Sequence, residues 1–135
     1  MGCDIRLIVE VKIEGTWYCW NQPNIVRDYY LFGYMAGVRK SELQLFDVKG
    51  LPDDMSIVTQ KLYQNWEDDA HSMSWLCLDE IKRLQQHLTN VNHFDDCFGW
   101  NRVFGWFFGN DYYDYDFSNS KEGIEDVRFV FWFDN

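Results

Sequence analysis

Cations are scarce in this chain, and much else that would name a function is missing. Twelve Lys and Arg stand against 22 Asp and Glu, for a formal net charge of −10. A surface of that sign repels phosphate, which argues against direct binding to nucleic acid or to an anionic membrane. No apolar run approaches bilayer-spanning length, so no membrane partner is expected. Met1-Gly2-Cys3-Asp4 has no basic region ahead of an apolar one, so no signal peptide is expected. Arg6 stands where a myristoylation signal wants Ser or Thr. Cys3, Cys19, Cys77 and Cys97 form no C-x-x-C, and no His follows at zinc-finger spacing. They read as free thiols, and the chain as a cytoplasmic one. No Gly-rich phosphate loop, nucleophile elbow or kinase-type pattern occurs, so neither a reaction nor a cofactor is indicated.

What is present is a core. Hydrophobic residues make up 47% of the chain and aromatics 19%, more than a disordered chain carries. No linker or low-complexity tract divides residues 1–135, which read as one globular domain. Cys3, Ile5, Leu7, Val9, Val11 and Ile13 alternate with Asp4, Arg6, Glu10 and Lys12, the signature of a half-buried strand that only Ile8 breaks. Glu14-Gly15 predicts a tight turn and residues 16–20 the returning strand. Residues 127–133 predict a strand at the other end of the chain. The two ends are expected to share one antiparallel sheet.

Between them the period changes to that of helices. Asp53 and Asp54 read as N-caps ahead of a stripe of Met55, Val58, Leu62 and Trp66. A helix over 78–88 would turn Ile81, Leu84 and Leu88 inward, with Asp79 and Glu80 at its positive end. Residues 28–37 give a short helix weakened by glycine. The fold class is α+β: an antiparallel sheet built from the N-terminal hairpin and the C-terminal strand, with two to three helices on one face.

Several polar constellations compete for chemistry. In Trp66 to Trp75, Asp69, His71 and Ser72 are types that ligate metals or move protons, though Ser and Asp also satisfy turn amides. His93, Asp95, Asp96 and Cys97 look metal-like, but the two Asp serve equally as caps of a helix over 97–108. No metal is assigned to either. Arg6 and Arg128 lie on the polar side of their strands, where they would meet Asp4, Glu10 or Asp69, as structural ion pairs or as a fork for an anionic ligand. The candidate ligand-binding set is therefore Asp4, Arg6, Asp69, His71, Ser72 and Arg128.

The charge is also uneven. Residues 1–65 hold seven Lys/Arg against eight Asp/Glu, and residues 66–135 hold five against fourteen. Its densest stretch is Asp111, Tyr112, Tyr113, Asp114, Tyr115 and Asp116, within an acidic connection over 110–123. Rings supply area that can be desolvated and carboxylates supply orientation, a combination that suits a basic protein surface. These six residues are the candidate partner-binding segment. Rings left outside would equally serve a homo-oligomer interface.

Met1-Gly2-Cys3-Asp4-Ile5, Val9-Glu10-Val11-Lys12, Gly50-Leu51-Pro52, Asp69-Ala70-His71-Ser72-Met73-Ser74-Trp75-Leu76 and the closing Val130 to Asn135 resemble a group of small phage and prophage proteins of uncharacterised function. In similar sequences His often follows the early Asp-Ile. Here that residue is Arg6, which stays protonated and cannot ligate a metal. The resemblance implies a class of work: occluding a host defence protein, such as a nuclease or CRISPR effector, whose nucleic-acid channel is basic. The other expectation is a nucleotide or small-molecule binder, extending to a weak metal-dependent hydrolase.

Overall fold

The first fifteen residues fold as their alternation dictates. In the computed structural model, which describes residues 2–93 and 123–135, β1 (Asp4–Ile13) turns at Glu14-Gly15 into β2 (Thr16–Asn21). Both turn residues have positive φ, 50° and 79°, the backbone that lets a two-residue hairpin follow the strands' twist. The remaining elements are α1 (Tyr29–Ala36), a 3-10 turn (Ser41–Leu43), α2 (Ile57–Gln64), β3 (Ala70–Cys77), α3 (Leu78–Asn90) and β4 (Asp126–Asp134). The strands form one antiparallel sheet in the order β2-β1-β4-β3, with the two ends of the chain paired at its centre. The fold is α+β.

Two helices cover one face of that sheet. Ile5, Leu7, Val9 and Val11 of β1 and Val127, Phe129, Phe131 and Phe133 of β4 point into it, with Leu31, Phe32 and Met35 of α1 and Ile81, Leu84 and Leu88 of α3 above them. The 78–88 helix is thus present with its inward residues as the spacing predicts. Asp28 caps α1 by accepting from the amides of Tyr30 and Leu31. The glycine inside α1 has a packing reason: a side chain on Gly33 would begin 2.8 Å from the Lys40 carbonyl oxygen. The loop therefore crosses the helix at that point.

The opposite face is covered as well, by α2. Ile8, Glu10, Arg128, Val130 and Trp132 lie beneath it, each at most 4% exposed, and the Tyr63 ring packs edge-on against Trp132. Ile8 therefore does not break a solvated pattern. It belongs to a second buried layer. The expected α2 stripe is corrected: Val58 is 54% exposed, and the fully buried residue of the helix is Thr59. Ser56, not Asp53 or Asp54, caps this helix, its hydroxyl accepting from the Thr59 amide at 3.0 Å. The segment containing Asp69, His71 and Ser72 is largely strand, not loop. β3 pairs with β4 through a bulge between His71 and Ser74, where Ser72 adopts φ 55°. The expected helix over 97–108 lies outside the described residues.

Candidate functional site

The covered polar layer begins with two residues that face each other. Glu10 and Arg128 are a cross-strand pair of β1 and β4, and both are buried. Nε of Arg128 donates to Glu10 Oε1 at 2.9 Å, and Nη2 lies 2.8 Å from the same oxygen without an aligned hydrogen bond. The other carboxylate oxygen accepts from the Ser56 amide at 2.8 Å and the Thr59 hydroxyl at 2.6 Å. A carboxylate only accepts, so the Thr59 proton points at Glu10 and the Ser56 hydroxyl, 2.8 Å away, donates to Thr59 Oγ1. The N-terminal turn of α2 is thereby tied to the middle of the sheet. This satisfies the negative member of a buried pair, which is what makes such a pair tolerable.

The positive member is held differently. The guanidinium of Arg128 lies over the Trp17 ring at 4.0 Å and near the Trp75 ring at 5.9 Å. Its Nη1 donates to Asp54 Oδ1 at 2.8 Å, although the Asp54 side chain is 69% exposed. That hydrogen bond holds the Asp54 carboxyl below its ordinary range, against the opposing effect of burial. On the far side of Trp75 the Lys49 ammonium sits 3.9 Å from the ring and is paired with Glu80. Burial pushes Glu80 upward, but the bonds from Lys49 and the Cys77 amide outweigh it and hold the carboxyl low. Tryptophans and cations thus alternate in a row drawn from three strands and the loop before α2: Trp17, Arg128, Trp75, Lys49. Two cavities open beside this row, one of about 490 Å³ between β2 and the start of α2, the other of about 550 Å³ at Trp75. Asp54 borders both.

The residues singled out from sequence do not gather at one place. Arg6 bonds Asp134 at 2.9 Å and lies over the Trp66 ring at 3.9 Å. Asp4 is bound by Arg27 at 2.9 and 3.1 Å, and that bidentate contact holds its carboxyl below the ordinary range. His71 bonds Ser72 Oγ at 3.1 Å and Asn135 Oδ1 at 3.2 Å, with its ring stacked on Phe133. Asp69 is exposed. Asp4, the register partner of Asp134, belongs with Arg6, His71 and Ser72 to the Asp134 end of β4. Arg128 stands four β4 positions from Trp132, the partner of Arg6, roughly 13 Å along the strand. His93 bonds Asp28 at 2.7 Å. Its sequence neighbours Asp95, Asp96 and Cys97 lie outside the described residues, as do Asp111 to Asp116. Among the described residues no group of three or more His, Cys, Asp or Glu is placed to hold a metal ion.

Asp54, Lys49, Trp17 and Trp75 were not picked out by sequence reasoning. One signal was available. Arg128 is a lone charge in Val127-Arg128-Phe129-Val130-Phe131-Trp132-Phe133, and Ile8 sits on the supposedly polar side of β1. Together they mark a second buried face, on which a charge needs a partner. No protein-family model matches this chain, and neither a curated protein nor a solved structure matches it.

Proposed function

We propose that this chain is an acidic binding protein that blocks a cationic surface of another protein by direct contact. The observation that supports this reading is how its charges divide. Among the described residues, Arg6, Arg27, Lys49, Arg83 and Arg128 each face a carboxylate of the same chain. Lys12, Arg39 and Lys40 each lie over an aromatic ring of it. Glu67, Asp68 and Asp69, by contrast, are consecutive and exposed. The described residues as a whole hold 16 Asp and Glu against ten Lys and Arg, so the excess charge is negative. Screened charge alone gives little affinity at physiological salt. Apolar anchors are at hand in Tyr18, Ile57 and Val58, 51%, 75% and 54% exposed, which line the groove between β2 and α2.

Kinship with the phage group would make the partner a host defence factor, a nuclease or CRISPR effector, with carboxylates standing where phosphates would lie. Affinity capture from host lysate tests this, with wild type and a Glu67→Gln/Asp68→Asn/Asp69→Asn variant run in parallel. A nucleic-acid-binding protein should be retained by wild type, released by salt, and retained poorly by the variant. The same neutralisation at Asp111, Asp114 and Asp116 examines the tyrosine-rich run. Equal retention on all three proteins, or retention indifferent to salt, rules the reading out.

A further inference from the structure

Arg128 is only 4% exposed, yet its outward nitrogen is served by a carboxylate that stands mostly in water. Glu10 cannot take over that role, because its second oxygen is engaged by Ser56 and Thr59. The cavity of about 550 Å³ that Arg128 borders is also lined by Lys49, Leu51, Pro52, Asp53 and Trp75. That volume is in the range of small-molecule sites, and its walls set Arg128 and Lys49, paired with Asp54 and Glu80, beside an apolar floor. Asp54 fills the one position on Nη1 that a visiting oxyanion would want.

We infer that this cavity binds a compact organic oxyanion, a carboxylate or a phosphate monoester, which takes the place of Asp54 on Nη1 of Arg128. Lys49 is the second cation of the site, and Trp75, Leu51 and Pro52 contact the apolar body of the ligand. The exchange replaces one carboxylate by another oxyanion on Nη1, so that nitrogen keeps a charge-assisted bond. The released Asp54 is already largely hydrated. A cationic ligand would face Arg128 and Lys49, and a neutral one could not replace a charge-assisted bond. Asp53 on the wall disfavours polyanions, so nucleoside triphosphates are poor occupants. The site is separate from the exposed acids Glu67 to Asp69, and either assignment can fail without the other.

The experiment titrates wild type and Asp54→Asn with benzoate, phenyl phosphate, inorganic phosphate and tripolyphosphate, read by tryptophan fluorescence and by thermal shift. Removing the internal competitor should tighten benzoate or phenyl phosphate about tenfold, as expected for a bond to a charged group. Adding Lys49→Gln to Asp54→Asn should reverse most of that gain. Benzoate ahead of phenyl phosphate identifies a carboxylate ligand, and the reverse order a phosphate monoester. Equal affinity of wild type and Asp54→Asn for every probe overturns the inference, as does tripolyphosphate binding best. A wild-type NMR titration guards against a variant that misfolds: saturating benzoate or phenyl phosphate must move the Trp75 indole and Arg128 resonances, and their failure to move with either overturns it too.

Discussion

The same two central strands present one face of hydrocarbon and one face built around a charge. Under α1 and α3 the sheet offers Leu7, Val9, Val11, Phe129, Phe131 and Phe133, and every contact is interchangeable in kind. Under α2 it offers Ile8, Val130 and Trp132, but at the centre stand Glu10 and Arg128. Burial of apolar area is additive and undirected, so the first face degrades gradually as side chains are trimmed. The second depends on a few directed bonds, each of which leaves an uncompensated group behind when its partner is removed.

The largest effect is expected from Glu10→Gln. It leaves the Arg128 charge buried with only Asp54, and sets an amide donor against the Ser56 and Thr59 donors. We expect a loss of about 3–5 kcal/mol in urea unfolding. The double variant Glu10→Met/Arg128→Met should recover most of that loss, because it removes both charges together. If the single and double variants are equally unstable, the pair is not the organising feature of this face.

On the other face Leu84→Ala removes a fully buried side chain of α3. It should cost about 2–5 kcal/mol, centred near 3, as core truncations do. The contrast lies in repair. Leu84→Met should restore most of the stability, since volume-conserving apolar exchanges are tolerated, whereas Glu10→Asp should repair little, because the shorter side chain cannot hold all three of its hydrogen bonds. Equal repair on both faces would erase the distinction.

How far this division can be read from sequence follows from what each face is made of. β1, β4 and α3 are legible because their apolar residues recur at the period of the element, and Ile81, Leu84 and Leu88 face inward as that period requires. α2 is legible as a helix but not in its orientation. The residue it buries, Thr59, is polar, and a count of apolar positions passes over it. β3 is hidden for a related reason: Ser72 in a left-handed conformation interrupts the alternation, so the segment resembles a turn. Of the cavity residues only Arg128 stands out locally, as a cation inside an aromatic strand. Asp54 and Lys49 reach it from a loop whose placement depends on Gly50 donating to the Met73 carbonyl and Lys49 to Ser74 Oγ. No spacing along the chain encodes those contacts.

A smaller effect sharpens the account of the buried network. Thr59→Val keeps shape and volume but takes the hydroxyl from Glu10 and the acceptor from Ser56. A bond to a charged group contributes about 1.5–3 kcal/mol, so the loss should fall in that range and below that of Glu10→Gln. Measured on a Glu10→Met/Arg128→Met background, the same substitution should cost far less, because the carboxylate it served is gone. A cost unchanged between the two backgrounds would mean that Thr59 acts through α2 alone.

The smallest expected effect is set by pH. Asp54 and Glu80 have folded-state affinities for protons below the ordinary carboxylate range, the first through Arg128 and the second through Lys49 and the Cys77 amide. A group whose pKa is lowered on folding contributes stability that is complete above its unfolded value and disappears as pH falls through its folded one. Melting temperature should therefore hold near neutrality and decline below about pH 4, where free carboxyls begin to bind protons. Glu80, with a side chain only 14% exposed, should account for more of that decline than Asp54 at 69%. Glu80→Gln should lower stability at pH 7 by about 1 kcal/mol and flatten the acid limb, whereas Leu84→Ala should shift the whole profile downward and leave its shape intact. An acid limb equally steep in Glu80→Gln and wild type would show that the bonds Glu80 accepts from Lys49 and the Cys77 amide add nothing to the fold.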